Sequence, residues 1–147
     1  MVVGSHKTFC SLKNFTEKFR GKIAYELRHG LRYDGLLVPF GAAIRYKPAN
    51  QAVLKALPKF AERILWGIFM GYHLHDGGKF SGDYLLIDLK SFANFMANPE
   101  NLRARPRVHR IKEIIPDDDI FFPAAMPLQH TALMFDIDKE TFEGVRN

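Results

Sequence analysis

Two histidines and an aspartate near the middle of the chain have the residue types and spacing that best suit metal chemistry. His73 and His75 stand two positions apart, and such residues face the same side of a β-strand. Imidazole and carboxylate groups, the latter from Asp76, are ligands for zinc. However, Gly77-Gly78 follows directly, and residues beside such a pair commonly form a turn. We therefore predict ordinary loop chemistry here, with no metal site and no cofactor.

Three consecutive aspartates, Asp117–Asp119, are the acidic group that could assist catalysis. Metal-dependent nucleases bring carboxylates together from separate elements, whereas consecutive side chains point in different directions. Ser81-Gly82 is too short a motif to indicate a nucleophilic serine, and the sequence has no glycine-rich phosphate loop. We predict a solvated acidic loop at Asp117–Asp119 and a protein that is not an enzyme.

Basic side chains suit phosphate binding, because the planar guanidinium of arginine stays charged and donates two hydrogen bonds to one phosphate. Arg103, Arg105 and Arg107 alternate at the start of a predicted strand, where that spacing presents a row on one side. A solubilising loop, or charge that protects a sheet edge, is the alternative interpretation. The candidate nucleic-acid-binding residues are Arg45, Lys47, Lys59, Arg63, Lys79, Arg103, Arg105, Arg107, Arg110 and Lys112.

Charge is divided unevenly along the chain. The formal net charge is +5, yet residues 1–115 hold 19 of the 21 Lys and Arg residues and 9 of the 16 Asp and Glu residues. A basic body attracts a phosphate backbone, and the acidic remainder shields that surface or keeps the protein soluble. Charge alone is weak evidence for DNA or RNA as a partner, because many domains of similar pI do not bind nucleic acid.

Length and composition predict one globular domain. The chain has 147 residues and 47% hydrophobic residues, enough for a real core. Cys10 is the only cysteine, which excludes an internal disulfide and fits a buried thiol in a reducing compartment. The longest apolar stretch, Ile64–Tyr72, is shorter than the roughly 18 residues of a membrane span. We expect an intracellular protein with no membrane partner.

Two helices are predicted near the start of the chain. Apolar residues at Leu12, Phe15 and Phe19 predict an amphipathic helix over residues 11–20. Residues 22–29 favour a second short helix, and Gly30 is suited to end it in the left-handed conformation.

Strands are predicted from alternation and from apolar runs. Phe40–Lys47 alternates and predicts a half-buried strand, while Arg63–Leu74 is apolar on both faces and belongs at the centre of a sheet. Gly67 and Gly71 predict bulges or bends in that central strand. A turn at His75–Lys79 joins it to the next strand as a hairpin.

The remaining strands are short. Alternation resumes over Tyr84–Lys90, and Val108–Ile115 and Thr131–Ile137 predict a fourth and a late strand. A loop or short helix is expected between Ser91 and Pro106. Short, curved strands with limited helix predict a mainly β (α+β) fold, a compact barrel in place of a parallel α/β sheet.

Three runs in this order, GKIAYELRHG, PFGAAIRYKP and KFAERILWGIFMGYHL, resemble the end of the integrase in copia-type retrotransposon polyproteins. In that family a short helix of the TPYEL kind is followed by an FG strand, a lysine-rich loop and a strand ending in FLGY. The resemblance covers residues 21–123. The matching residues are Ala24-Tyr25-Glu26-Leu27, Phe40-Gly41, Lys59-Phe60, Arg63 and Phe69-Met70-Gly71-Tyr72.

The resemblance implies a small SH3-like β-barrel placed after the ribonuclease-H-like catalytic core, where related integrases use small barrels to hold DNA or neighbouring subunits. The catalytic carboxylates and the His/Cys zinc module of the family lie upstream of the matched part, so no integration chemistry is implied. Action on DNA implies the nucleus. The expected organisation is an N-terminal helical lead-in over residues 1–35, the SH3-like barrel over 36–123 and an acidic C-terminal extension over 124–147.

The expected function is non-catalytic nucleic-acid binding through phosphates, with little sequence selectivity because no base-reading helix is present. A protein-interaction module is the alternative, for integrase multimerisation or for packing on the catalytic core or other polyprotein segments. An exposed patch among Trp66, Phe69, Tyr72 and Phe80, which we expect in the core, would favour it. A nonfunctional remnant of a mobile element is a third interpretation.

Overall fold

The computed structural model describes residues 22–50 and 64–126, together with Lys13, Phe15, Thr16, Lys18, Phe19, Ala52 and Lys55. This part of the chain is mainly β, with few helices and one five-stranded antiparallel open sheet. The strands are β1 (Lys18–Phe19), β2 (Lys22–Ile23), β3 (Ala43–Tyr46), β4 (Leu65–Leu74), β5 (Phe80–Asp88), β6 (Val108–Ile111) and β7 (Ile114–Pro116), and the α-helices are α1 (Ala24–His29) and α2 (Leu89–Ala97). The predicted late strand at Thr131–Ile137 and Cys10 lie outside the described residues.

The strand order in the sheet is β6-β5-β4-β3-β7, and every neighbouring pair is antiparallel. The predicted central position of β4 is confirmed. The predicted hairpin is confirmed as well, because the backbone N–H of His75 donates to the carbonyl of Lys79 at 2.8 Å and closes the turn between β4 and β5. Gly77 and Gly78 lie in that turn at φ 87° and 84°, a backbone region that glycine enters without strain.

The two glycines of β4 serve different purposes. The β4–β5 register shifts between Phe69 and Gly71, as expected for the predicted bulge. Gly67 pairs in regular register with Asp88, so a bulge there was a wrong prediction. A Cβ at Gly67 would lie 3.0 Å from the carbonyl oxygen of Ile87, which shows that this glycine permits close packing between the strands.

The single strand predicted at Val108–Ile115 is two strands. β6 pairs with β5 at one edge of the sheet, and β7 pairs with β3 at the other edge. Only Lys112 and Glu113 separate them in the sequence. The two edges of the sheet therefore approach each other at this corner.

Apolar side chains pack on both faces of the sheet. Ile44 and Tyr46 of β3 join a cluster with Phe69 and Leu86, whereas Ala43 joins a second cluster on the opposite face. The predicted buried face of β3 is confirmed by Ile44 and Tyr46, but Ala43 on the other face is only 4% exposed, so that face was wrongly predicted at its first residue. The second cluster is covered by α2, whose buried residues include Leu89 and Phe92.

Helix α2 replaces the last residues of a predicted strand. β5 begins at Phe80, earlier than predicted, and ends at Asp88, where the prediction continued to Lys90. The Asp88 carboxylate accepts a hydrogen bond from the backbone N–H of Ser91 at 3.0 Å, which caps the helix. This cap starts the short helix that was one of the two structures predicted after Ser91, but the helix begins two residues earlier, at Leu89.

The N-terminal segment is only partly helical. Lys13, Phe15 and Thr16 have helical backbone, but Lys18–Phe19 is a strand paired with Lys22–Ile23, so the helix predicted over residues 11–20 was wrong in its second half. Helix α1 confirms the second predicted helix, and Gly30 caps it at φ 68°. Phe15 is buried in the same cluster as the strands.

Tyrosine hydroxyls tie the segment before β3 to the sheet. Tyr72 accepts from the backbone N–H of Val38 at 2.9 Å and donates to the Val38 carbonyl at 3.2 Å, while Tyr84 accepts from the N–H of Leu36 at 2.8 Å. Burial raises the pKa of Tyr72 to about 12, so this hydroxyl stays neutral at physiological pH. The lead-in residue Tyr25 lies in the same core cluster as the strands.

Candidate nucleic-acid interface

Eight of the ten candidate basic residues lie in the described part of the chain. Arg45 lies in β3 and Lys47 directly follows it, Lys79 is in the hairpin turn, and five residues lie in β6 or close to it in the sequence. Lys59 and Arg63 lie outside the described residues. The five around β6 are Arg103, Arg105, Arg107, Arg110 and Lys112.

Arg45 is engaged within the protein. Its guanidinium lies over the ring of Trp66, 5.7 Å from the ring centroid, and one terminal nitrogen is 3.6 Å from Asp117 Oδ1. The Nε atom is buried and has no hydrogen-bond partner. Cation–π contact and the salt bridge hold the side chain at the sheet surface, so Arg45 is poorly placed to extend toward a phosphate.

Two further basic residues are paired with carboxylates. Lys47 Nζ lies 3.6 Å from Glu113 Oε2, with both side chains more than half exposed. Arg110 Nε donates to Asp83 Oδ2, and the Asp83 side chain is only 5% exposed. The exposed pair contributes little to stability, whereas removing Arg110 would leave a buried carboxylate without its partner.

Five candidate residues are exposed and form no salt bridge with any described residue. One, Lys79, lies in the hairpin turn and the other four flank β6 in the sequence, and each is available to a phosphate. Strand alternation does not align the arginines, because β6 begins only at Val108 and Arg103 lies in a 3₁₀ turn, Leu102–Ala104. The five residues, called here the unpaired basic set, are Lys79, Arg103, Arg105, Arg107 and Lys112.

The turn before β6 is fixed locally by an asparagine. The Asn101 side chain accepts a hydrogen bond from the backbone N–H of Arg103 at 3.2 Å, and the N–H of Ala104 donates to the Asn101 carbonyl at 3.0 Å. This local structure orders the backbone from which the arginines project. The sequence indicated their charge but not this arrangement.

His73 is held by a serine across the hairpin. The Ser81 hydroxyl donates to the His73 carbonyl at 2.8 Å, so its oxygen accepts from His73 Nδ1–H, also at 2.8 Å. The His75 ring is perpendicular to that of His73, with centroids 6.1 Å apart. Within residues 22–50, 64–126 and the other described positions, no three His, Cys, Asp or Glu side chains converge as metal ligands would.

An open cleft of about 490 Å³ lies at the corner where the two sheet edges approach. The lining contains charged residues of both signs. Its cations, Lys47, Arg110 and Lys112, are among the candidate residues taken from the sequence, but Asp83 is not. A single aspartate in an alternating strand gives no signal of burial. The lining residues are Lys47, Pro48, Ala49, Asp83, Arg110, Ile111, Lys112 and Glu113.

The acidic run after β7 is divided in its contacts. Asp117 pairs with Arg45, and its Oδ1 also accepts from the backbone N–H of Asp118 at 3.2 Å, while Asp118 and Asp119 are exposed. These aspartates therefore form a surface loop, and among the residues that the structure describes only Asp117 pairs with a basic side chain.

Comparison of the chain with protein-family models, curated proteins and solved structures gave no match. Among the helices of the described part, none has the length and apolar character needed to cross a bilayer.

Proposed function

We propose that this chain is a non-catalytic nucleic-acid-binding domain that contacts the phosphate backbone with little sequence selectivity. The role matches the SH3-like barrel of copia-type integrase polyproteins, which the sequence motifs resemble. Such a domain would act on DNA in the nucleus, beside the catalytic core of its polyprotein.

The unpaired basic set is the observation that carries this proposal. Phosphate binding requires cations that are exposed and that have no carboxylate partner to displace. Arg103, Arg105 and Arg107 meet both conditions within five positions of the chain. Arginine also suits a phosphate geometrically, because its guanidinium donates two parallel hydrogen bonds.

Strand order supports the SH3-like part of the proposal. The last strand, β7, returns to pair with the first strand of the sheet, β3, and the edges meet at a two-residue connection. A small barrel needs this return, since it brings the two edge strands, β6 and β7, to the same corner of the sheet.

The test is binding of the full chain to a short fluorescent duplex, measured by anisotropy across a range of salt concentrations. The test variant replaces Arg103, Arg105 and Arg107 by Ala. We expect binding that weakens with salt, and a variant that binds more weakly at every salt concentration. Its log–log salt slope should fall by about 0.9 for each phosphate that the variant no longer neutralises, or about three in all.

A matched control removes three basic residues from the lead-in, Lys22, Arg28 and Arg32, and so lowers the net charge equally. We expect it to keep most of the wild-type slope. Equal reductions of the slope in the two variants would show that only net charge matters and would reject this interface. Folded protein that binds no duplex even at low salt would reject nucleic-acid binding itself.

A protein-interaction module is the second candidate, and a group of exposed leucines favours it. Leu27, Leu31, Leu36 and Leu37 lie within eleven positions of one another and are 55%, 53%, 41% and 51% exposed. The aromatic patch considered in the sequence does not form, because Phe69 and Tyr72 are buried in the core. Light scattering of the wild type and of the variant L31S/L37S distinguishes the candidates. If the module self-associates, the wild type should have the molar mass of an oligomer and the variant a lower molar mass.

A further inference from the structure

The cleft at the corner of the sheet combines charge and apolar surface in a volume suited to a small group. Its size, about 490 Å³, falls within the roughly 300–1,000 Å³ typical of ligand sites. Pro48, Ala49 and Ile111 supply the apolar part of the lining. The remaining lining residues are charged, so a ligand that fits must carry polar groups in defined places.

Asp83 indicates what one of those polar groups must be. It is the one buried charged residue in the described part of the chain, at 3% exposure. Its Oδ2 accepts from Arg110 Nε, but its Oδ1 is buried and accepts no hydrogen bond. A buried acceptor without a partner is costly, and a ligand that donates an N–H to it would recover that cost.

The cations of the cleft disfavour a positively charged donor. Lys47, Arg110 and Lys112 face the cleft with only two carboxylates, those of Asp83 and Glu113, so the lining is net positive. Lys112 belongs to the unpaired basic set and has no carboxylate partner in the described part. The lining therefore favours a ligand that joins a neutral N–H donor to an anionic group, and it disfavours a lysine or arginine side chain of a partner protein.

A nucleotide with an amino-bearing base has this combination. We propose that the cleft binds an unpaired cytosine of a single-stranded nucleic acid, with the N4 amino group donating to Asp83 Oδ1 and a phosphate beside Lys112. Aspartate is a recognised acceptor for the cytosine amino group. Arg110 would keep its bond to Asp83 Oδ2, so the amino group would take the other oxygen, Oδ1, which has no partner. This inference rests on the proposed nucleic-acid binding and adds a base preference to it.

The experiment compares full-chain binding to single-stranded oligodeoxycytidine and oligodeoxythymidine of about 12 nucleotides, a length within the range of small single-strand sites. Thymine presents a carbonyl oxygen where cytosine has its amino group, so it would repel the carboxylate. We expect about tenfold tighter binding of the cytosine strand. In NMR spectra, the largest amide shifts should fall on Asp83, Arg110 and Lys112.

Two variants with the same charge change test the role of Asp83. In Asp83→Asn the amide oxygen accepts the bond from Arg110 Nε, which leaves the NH2 donor in the place of Oδ1, so the preference for cytosine should be abolished or reversed. Asp118→Asn is the control, since that exposed side chain lies outside the cleft, and it should keep the preference. A cytosine preference that survives Asp83→Asn in folded protein would overturn the proposal.

Wild-type measurements decide the question even if Asp83→Asn fails to fold. Equal affinity for the two strands, or amide shifts confined to Arg103, Arg105 and Arg107, would overturn the cytosine site and leave phosphate binding intact. An arginine-rich peptide that shifts the cleft amides more strongly than the cytosine strand would also overturn it, in favour of a protein ligand. Absence of binding to any strand or duplex at low salt would instead reject the proposed function.

Discussion

Tyr72→Phe should destabilise the protein far more than the loss of one oxygen atom suggests. The Tyr72 hydroxyl accepts from the N–H of Val38 and donates to its carbonyl, at 2.9 and 3.2 Å, and Val38 is only 2% exposed. Phenylalanine would leave both backbone groups buried without this partner. Each unsatisfied group costs about 1–3 kcal/mol, so we expect a loss of about 3 kcal/mol in the free energy of unfolding.

The assay is urea unfolding followed by fluorescence and circular dichroism, with Tyr84→Phe as the matched control. Within the described part of the chain the Tyr84 hydroxyl accepts only from the N–H of Leu36. That residue is 41% exposed, so water can replace the hydroxyl and the loss should stay below about 1 kcal/mol. Thermal unfolding should show the same order, with Tm lowered by roughly 10 °C in Tyr72→Phe. Losses below about 1 kcal/mol in both variants would refute the idea that this hydroxyl anchors the segment before β3.

Two further predictions concern the buried tyrosines of the core and the close packing of the strands at Gly67. Burial raises the pKa of Tyr72 to about 12, and it also raises those of Tyr33 and Tyr46, in each case as the largest cause. The unfolded tyrosines lose their protons near pH 10, whereas the folded ones keep them. The free energy of unfolding should therefore be full below pH 10 and fall as the pH rises toward 12. Denaturant titrations that give a flat free energy of unfolding across this window would contradict the prediction. Gly67→Ala should lower the free energy of unfolding by about 1–3 kcal/mol. The new Cβ would lie 3.0 Å from the Ile87 carbonyl oxygen and 3.1 Å from the side chains of Leu86 and Tyr46. An unchanged urea midpoint would show that the strands can separate to admit it.

Local signals in the sequence were sufficient for the hairpin and the central strand. Gly77-Gly78 marks the turn, and the apolar run before it could be buried on both faces only in the middle of a sheet. Helix α1 was equally readable, since Gly30 supplies its left-handed cap. These features depend on residues close together in the chain, and sequence patterns report on such residues best.

Features that depend on distant residues could not be read in this way. The division of the predicted strand at Val108–Ile115 results from the pairing of β7 with β3, which no local pattern encodes. The start of α2 had a local signal, the Asp88 cap with Ser91, but the alternation before it suggested a continuing strand.

The candidate site shows the same limit. Sequence reasoning identified basic residues by type, yet it could not separate Arg45, Lys47 and Arg110, which are paired, from those that are exposed and unpaired. Pairing depends on the strand register, because Asp83 and Arg110 meet only across β5 and β6. The expected row of Arg103, Arg105 and Arg107 also required these residues to lie in a strand. Strand β6 begins only at Val108, so it does not include them.

The pairing of β3 with β7 has a consequence for the order of events during synthesis. Ile44 pairs with Pro116, roughly 70 positions further along, and β4, β5 and β6 all lie between them in the sequence. While the ribosome is still adding those residues, one edge of β3 has no strand to pair with, and an unpaired edge invites association with other nascent chains. Closure of such a distant contact is also slow. The nascent chain should therefore be most vulnerable to aggregation and most in need of chaperones until Pro116 has left the exit tunnel.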